Sequence, residues 1–249
     1  MSANELKGDS INATDGEIGA LEEFYFDDDS WTIRYLVADT GTWIPRRKVL
    51  ISPISVARVD RSEEKVNVRL SRKQVEDSPD IDTHMPISRV QEISFFRYYG
   101  YPYYWSGPYA WGPAAFPEGL AVPIAPAPEE PQAQVAEEDV HLRSTREVTG
   151  YYIEATDGEI GHVADFVVDD ETWAIRYLVI DTRNWLPGKK VVVAPGWIHQ
   201  ISWRESKVYV NLSREAIKNS PEYDASKPLT RDYEAKLYKH YDQPRYWEG

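Results

Sequence analysis

The chain has 249 residues, no cysteine, and 41 acidic against 28 basic side chains, for a net charge of −13. The missing cysteine excludes disulfides, thiolate nucleophiles and Cys-ligated zinc. Residues 1–105, 106–147 and 148–249 carry −5, −5 and −3, so no part has the basic footprint of a phosphate-backbone binder, although Arg46-Arg47-Lys48 and Lys189-Lys190 are local basic spots. No apolar run approaches the roughly 18 residues of a membrane span, and no basic-then-apolar leader opens the chain. The expectation is a cytoplasmic protein without membrane insertion or nucleic acid as a favoured partner.

One feature organises the chain. Ala13-Thr14-Asp15-Gly16-Glu17-Ile18-Gly19 recurs at Ala155 to Gly161, and Ile33-Arg34-Tyr35-Leu36-Val37 recurs at Ile175 to Val179, both at an offset of 142. At that offset residues 11–105 align with 153–247 without a gap, with 41 identities in 95 positions. The chain is therefore a tandem duplication. The expected domains are repeat 1 over 5–105, a Pro/Ala/Glu-rich spacer over 106–146 and repeat 2 over 147–249.

Within one repeat the elements follow in order. Asp15-Gly16 and Asp157-Gly158 predict tight hairpin turns, and Ile18-Gly19 just after predicts a strand opening with a bulge. Asp27-Asp28-Asp29-Ser30 and Asp169-Asp170-Glu171-Thr172 predict a second turn, read as solvated in preference to a hard-cation site because the spaced ligands and Gly of an EF-hand loop are missing. Trp31, Ile33, Tyr35 and Val37 share one strand face, but Leu36 and Ala38 opposite are also apolar, so this strand is expected to be covered on both sides. Val49 to Ile51 and Val191 to Val193 are short apolar strands closed by Pro53 and Pro195. Val66, Val68 and Leu70 alternate with Asn67 and Arg69, as Val208, Val210 and Leu212 alternate with Tyr209 and Asn211, which marks half-buried strands. Ser71 and Ser213 cap short helices that stop at Ser78-Pro79 and Ser220-Pro221. Ser88 with Gln91 forms a capping box for a helix over Arg89 to Tyr99, and Thr230 caps its partner, Arg231 to Tyr241.

The ordered set of an opening Gly8 or Gly150, A-T-D-G-E-I-G, an acidic turn, W-x-I-R-Y-L-V-x-D-T, Trp-x-Pro and L-S-R resembles the PRC-barrel family over about residues 5–80 and 147–222. The resemblance implies a mainly β fold with short helices: two small PRC-type β-barrels in tandem, each followed by a helical C-terminal extension. The family's best-known members are the cytoplasmic domain of the photosynthetic reaction centre H subunit, which caps a membrane complex, and the C-terminal domain of the ribosome maturation factor RimM, which docks on a ribosomal protein. What the resemblance implies for function is protein–protein docking. The resulting expectation is a non-catalytic interaction or scaffold module whose barrels pair with each other or form a homo-oligomer. Its alternatives are an RNA-processing or ribosome-associated accessory factor and a peripheral cap of a membrane electron-transfer complex.

Asp15, Gly16, Gly19, Asp157, Gly158 and Gly161 read as turn and bulge residues rather than paired catalytic carboxylates. Arg34 with Asp39, and Arg176 with Asp181, flank the buried strand at identical spacing and read as an ion pair or hydrogen-bonded strut at the barrel rim rather than as an anion site. Trp43 and Trp185 are either core residues or exposed anchors. In the aromatic tail, Tyr101, Tyr103, Trp105 and Trp247 are candidates for interaction, with internal packing as the alternative reading. The five histidines, His84, His141, His162, His199 and His240, never align between copies, which excludes a duplicated histidine site. No Gly-x-Ser-x-Gly elbow or phosphate-binding Gly loop is present. No catalytic residue, cofactor or metal is expected.

Overall fold

The computed structural model describes residues 1–41, 43–44, 47–80, 87–121, 141–182 and 189–248. It is mainly β, with two sheets and few helices. The chain divides into an N-terminal unit, Ala3–Arg146 with Asp169–Ala174, and a C-terminal unit, Met1–Ser2, Glu147–Val168 and Ile175–Gly249. The repeat boundaries and the unit boundaries thus differ at two short segments. The turn 169–174 counts with the first unit and residues 1–2 with the second.

In the N-terminal unit α1 (Ala3–Leu6) leads into β1 (Ser10–Ala13), β2 (Gly16–Asp27), β3 (Thr32–Asp39), β4 (Lys48–Ile51), β5 (Val56–Asp60) and β6 (Lys65–Val68). Then come α2 (Arg72–Glu76), α3 (Arg89–Tyr99) and β7 (Leu142–Ser144). The ladder runs β4-β3-β2-β1-β6-β5, antiparallel except for the parallel pair β1–β6, and β7 adds to β2. The C-terminal unit repeats the plan. α4 (Thr145–Val148) enters it, and β8 (Tyr152–Ala155), β9 (Gly158–Val168), β10 (Ile175–Asp181), β11 (Lys190–Val193), β12 (Ile198–Ser202) and β13 (Lys207–Val210) are ordered β11-β10-β9-β8-β13-β12. α5 (Arg214–Lys218) and α6 (Arg231–His240) follow. Among the described residues no ladder joins β4 to β5, or β11 to β12.

The bulge is where the sequence expectation places it. Ile11 faces Gly19 and Asn12 faces Glu17, so Ile18 is the extra residue; Ile153 and Gly161, Glu154 and Glu159 repeat this around Ile160. A side chain at Gly19 would stand 2.0 Å from the Asp39 carbonyl oxygen, and one at Gly161 2.1 Å from that of Asp181. The glycines are required because two backbones meet there, at the point where a bulge bends the strand. The hairpin carboxylates cap the following helices: Asp15 Oδ1 accepts from Arg72 N and Asp157 Oδ1 from Arg214 N, both at 2.7 Å. Gly16 and Gly158 sit at φ +147° and +133°, as the turn requires.

β3 is buried along all but its last residue. One covering layer is α3, whose Phe95 and Phe96 meet the Tyr35 ring edge-on at 5.1 and 6.4 Å. The capping box at Ser88 is present, and α3 ends at Gly100 in the left-handed conformation. Trp31, expected within the strand, precedes it at φ +52° and stacks on Phe26 at 5.2 Å. The expected spacer is partly folded. Trp111 is fully buried, its indole N–H donating to the Thr172 carbonyl at 2.9 Å, and Leu142–Ser144 is a strand. Residues 122–140 of that spacer lie outside the described residues.

Candidate functional site

The strongest chemical constellation is one that sequence reading missed. Glu92, four residues past the Ser88 cap, projects from α3 into the space between that helix and β3 and is fully buried. Its carboxylate accepts from Tyr35 OH at 3.0 Å and Tyr104 OH at 2.9 Å. It also pairs with Arg89 at 3.1 Å and His141 Nε2 at 3.0 Å. Glu234 on α6 occupies the same place, with Tyr177 OH at 2.9 Å, Tyr246 OH at 3.0 Å and Arg231 at 2.9 Å. Three of the four partners recur at the offset of 142; the fourth, His141, belongs to the segment between the repeats.

The guanidinium groups add a second layer. Arg34 lies 3.7 Å from the Tyr104 ring centroid and 4.9 Å from that of Trp111; Arg89 lies 4.1 Å from Trp105. In the other copy Arg176 sits over Tyr246 at 4.5 Å and Arg231 over Trp247 at 4.5 Å. Cation–ring attraction of this kind strengthens when the cation is desolvated. Arg34 is desolvated: it donates to the Ala110 carbonyl at 2.6 Å and Ser30 Oγ at 3.0 Å, with Asp27 at 3.7 Å.

Of the two readings of Arg34, the hydrogen-bonded strut describes its contacts to Ala110 and Ser30, whereas its ion-pair partner is Asp27 and not Asp39. Arg34 is the extra residue of a bulge, since its neighbours Ile33 and Tyr35 face the adjacent residues Phe26 and Tyr25, so its side chain leaves the alternation of the strand. Arg34 turns toward Tyr104, while Asp39 Oδ1 accepts from Gly41 N at 2.9 Å. Arg176 is likewise a bulge residue, and its guanidinium lies over the Tyr246 ring, while Asp181 is buried. The acidic turns are not simply solvated either. Asp27 is buried, and its Oδ1 accepts from Asp29 N and Ser30 N, just as Asp169 Oδ1 accepts from Glu171 N and Thr172 N. These are local side-chain-to-backbone turns.

Burial first, and then the charge of Glu92, hold the Tyr35 and Tyr104 phenols well above their usual range, so both remain donors to the carboxylate. Burial likewise raises Tyr177, helped by Tyr238 and Glu234. Burial pulls Arg34 below the usual guanidinium range, against the pull of Tyr104, Asp27 and Glu92. At His141 burial acts to lower the pKa, but the hydrogen bond to Glu92 and its charge outweigh it, and the net shift is upward.

The interaction candidates separate by burial. Tyr101 and Tyr103 are buried; Tyr101 OH shares a 2.6 Å hydrogen bond with Ser55 Oγ, and Tyr103 stacks on Trp105 at 4.8 Å. They are therefore no part of a free surface, because the aromatic tail folds back over Phe96. Trp105, Trp247 and Trp43 are half-buried, Trp43 beneath the Arg72 guanidinium at 4.3 Å. Trp185 lies outside the described residues. The signal that would have revealed Glu92 and Glu234 is an acid identical in both copies on the face of a helix that carries apolar and aromatic neighbours.

Among the described residues no helix is long and apolar enough to cross a membrane. No family model and no curated protein matches the chain.

Proposed function

We propose that the chain is a non-catalytic protein-interaction or scaffold module built on two PRC-barrel-like repeats. The observation that carries this reading is the use each copy makes of its buried acid. Glu92 and Glu234 are surrounded by donors from their own unit and fasten the C-terminal extension onto the sheet. A carboxylate tied in this way is a strut rather than a poised acid or base. The same extension brings Trp105 and Trp247 part-way to the surface, and Tyr246 beside Trp247 is 37% exposed. Half-exposed tryptophan and tyrosine on a rigid support suit a docking surface.

Affinity capture with the full chain as bait, read by mass spectrometry, tests the reading. Trp43→Ala and Trp247→Ala, checked for unchanged melting, serve as surface controls. A defined protein captured by the parent and lost from a well-folded variant is expected. Capture of ribosomal particles that dissociates steeply with salt, or turnover of a small molecule by the purified chain, would replace it.

A further inference from the structure

β2 and β9 are longer than the hairpin strands beside them. β1 faces only Gly16 to Ala20 of β2, and β8 faces only Gly158 to His162 of β9, which leaves the far part of the same edge for another strand. Both edges are filled. In the N-terminal unit β7 pairs there, Ser144 opposite Tyr25 and Arg143 opposite Phe26. In the C-terminal unit Ser2 bridges Val167, the Met1 ammonium donates to the Val168 carbonyl at 2.6 Å, and Val168 N donates to the Met1 carbonyl at 2.8 Å.

The two arrangements are one arrangement. The offset of 142 carries Ser2 to Ser144, Tyr25 to Val167 and Glu23 to Asp165. Ser144 Oγ donates to Glu23, and Ser2 Oγ donates to Asp165 at 2.5 Å. The short helices that follow, Ala3–Leu6 and Thr145–Val148, are related by the same offset. Yet in each case the added strand precedes the opposite repeat. Ser144 leads into repeat 2 and completes the N-terminal unit; Ser2 leads into repeat 1 and completes the C-terminal unit. The chain changes unit between Ser2 and Ala3, and again between Arg146 and Glu147, nearly the same place in repeat register.

We propose that the far edge of the long hairpin strand is a strand-acceptor site whose occupant is the leader segment of the other repeat, so that the two copies complement each other reciprocally. The site recognises an extended backbone by ladder hydrogen bonds and a serine by the carboxylate two residues before the paired position. Charged flanks strengthen the N-terminal unit's version: Arg143 pairs with Asp28 at 2.8 Å, and Arg146 with Glu22 at 3.0 Å and Glu23 at 3.2 Å.

The chain has no cysteine, so an introduced pair has no competitor. A protease site is placed between residues 122 and 140 of the full chain together with Tyr25→Cys and Ser144→Cys. The chain is oxidised, cut, and run without reductant. The expected result is one band at the full 28.7 kDa that falls to two half-length bands on reduction. Ser2→Cys with Val167→Cys gives the same. The own-copy pairs, Ser144→Cys with Val167→Cys and Ser2→Cys with Tyr25→Cys, retain free thiols. Circular dichroism of the reduced variants establishes folding first. Free thiols in a folded Tyr25/Ser144 variant, efficient bonding of an own-copy pair, or bands above the full mass would each overturn reciprocal exchange within one chain. None of these outcomes depends on whether a partner protein is captured.

Discussion

Replacing Glu92 by alanine removes a carboxylate that four side chains face. Taking one partner from a buried ion pair costs about 3–5 kcal/mol, and each buried donor left unsatisfied adds about 1–3 kcal/mol before relaxation. The Arg89 side chain is only 13% exposed, and Tyr35 and Tyr104 are both buried, so little water reaches the abandoned donors. A local destabilisation of about 4 kcal/mol is expected for Glu92→Ala. The matching Glu234→Ala is milder. The Arg231 side chain is 58% exposed and regains its hydration, and Tyr246 is open as well, leaving Tyr177 as the main orphan at about 1–3 kcal/mol. Hydrogen exchange on peptides covering α3 and α6 reads each unit separately, which a single melting curve does not. Since each 1.4 kcal/mol is about tenfold, protection of α3 in Glu92→Ala falls nearly 1000-fold, and that of α6 in Glu234→Ala about 10- to 100-fold. Equal losses in the two units, or an α3 loss under tenfold, would refute the claim that solvent access to the partners sets the cost.

Three further expectations follow from the same geometry. Gly19→Ala and Gly161→Ala force a methyl group onto a carbonyl oxygen at 2.0 and 2.1 Å, so each destabilises its own unit by at least about 1–3 kcal/mol in urea titrations, and unchanged midpoints would contradict the close approach. Trp111→Ala empties a fully buried indole site and breaks the bond to Thr172, costing about 3–5 kcal/mol; a loss below 1 kcal/mol would mean that the residues around it are not part of the core. His141, raised from the ordinary 6.5 in the folded chain, contributes fully below that value, and its contribution disappears as pH rises through the raised folded pKa. Melting temperatures of the parent and His141→Gln, followed from about pH 5.5 to 9, converge on the alkaline side; a constant offset would show that protonation has no part in it.

Much of this architecture is legible in the residues. The gapless repeat predicts two equivalent β-rich units, the Ser88–Gln91 spacing predicts α3, and Ile18-Gly19 predicts the bulge. These are local signals, read within a few residues of where they act. What escapes is long-range. Glu92 meets Tyr35 across 57 positions, and Trp111 meets Thr172 across 61, so no window contains both partners. The spacing behind Arg34–Asp39 assumes a regular strand, and the bulge at Arg34, which depends on its pairing with Tyr25 and Phe26, breaks that regularity. The spacer's Pro and Glu content masks a single tryptophan in the average, although Trp111 is fully buried.

The parallel pairing of β1 with β6, and the place of β7 beside β2, set a schedule for the newborn chain. On a ribosome adding about 5–20 residues per second, β1 has only β2 beside it until residue 65 emerges, and the first sheet lacks its last strand until residue 144 has been made. Met1 and Ser2 wait longer still for β9. A nascent chain halted between the repeats would hold an unfinished sheet edge over Tyr25 to Asp27, the kind of exposed ladder that invites pairing with a neighbour on the same message.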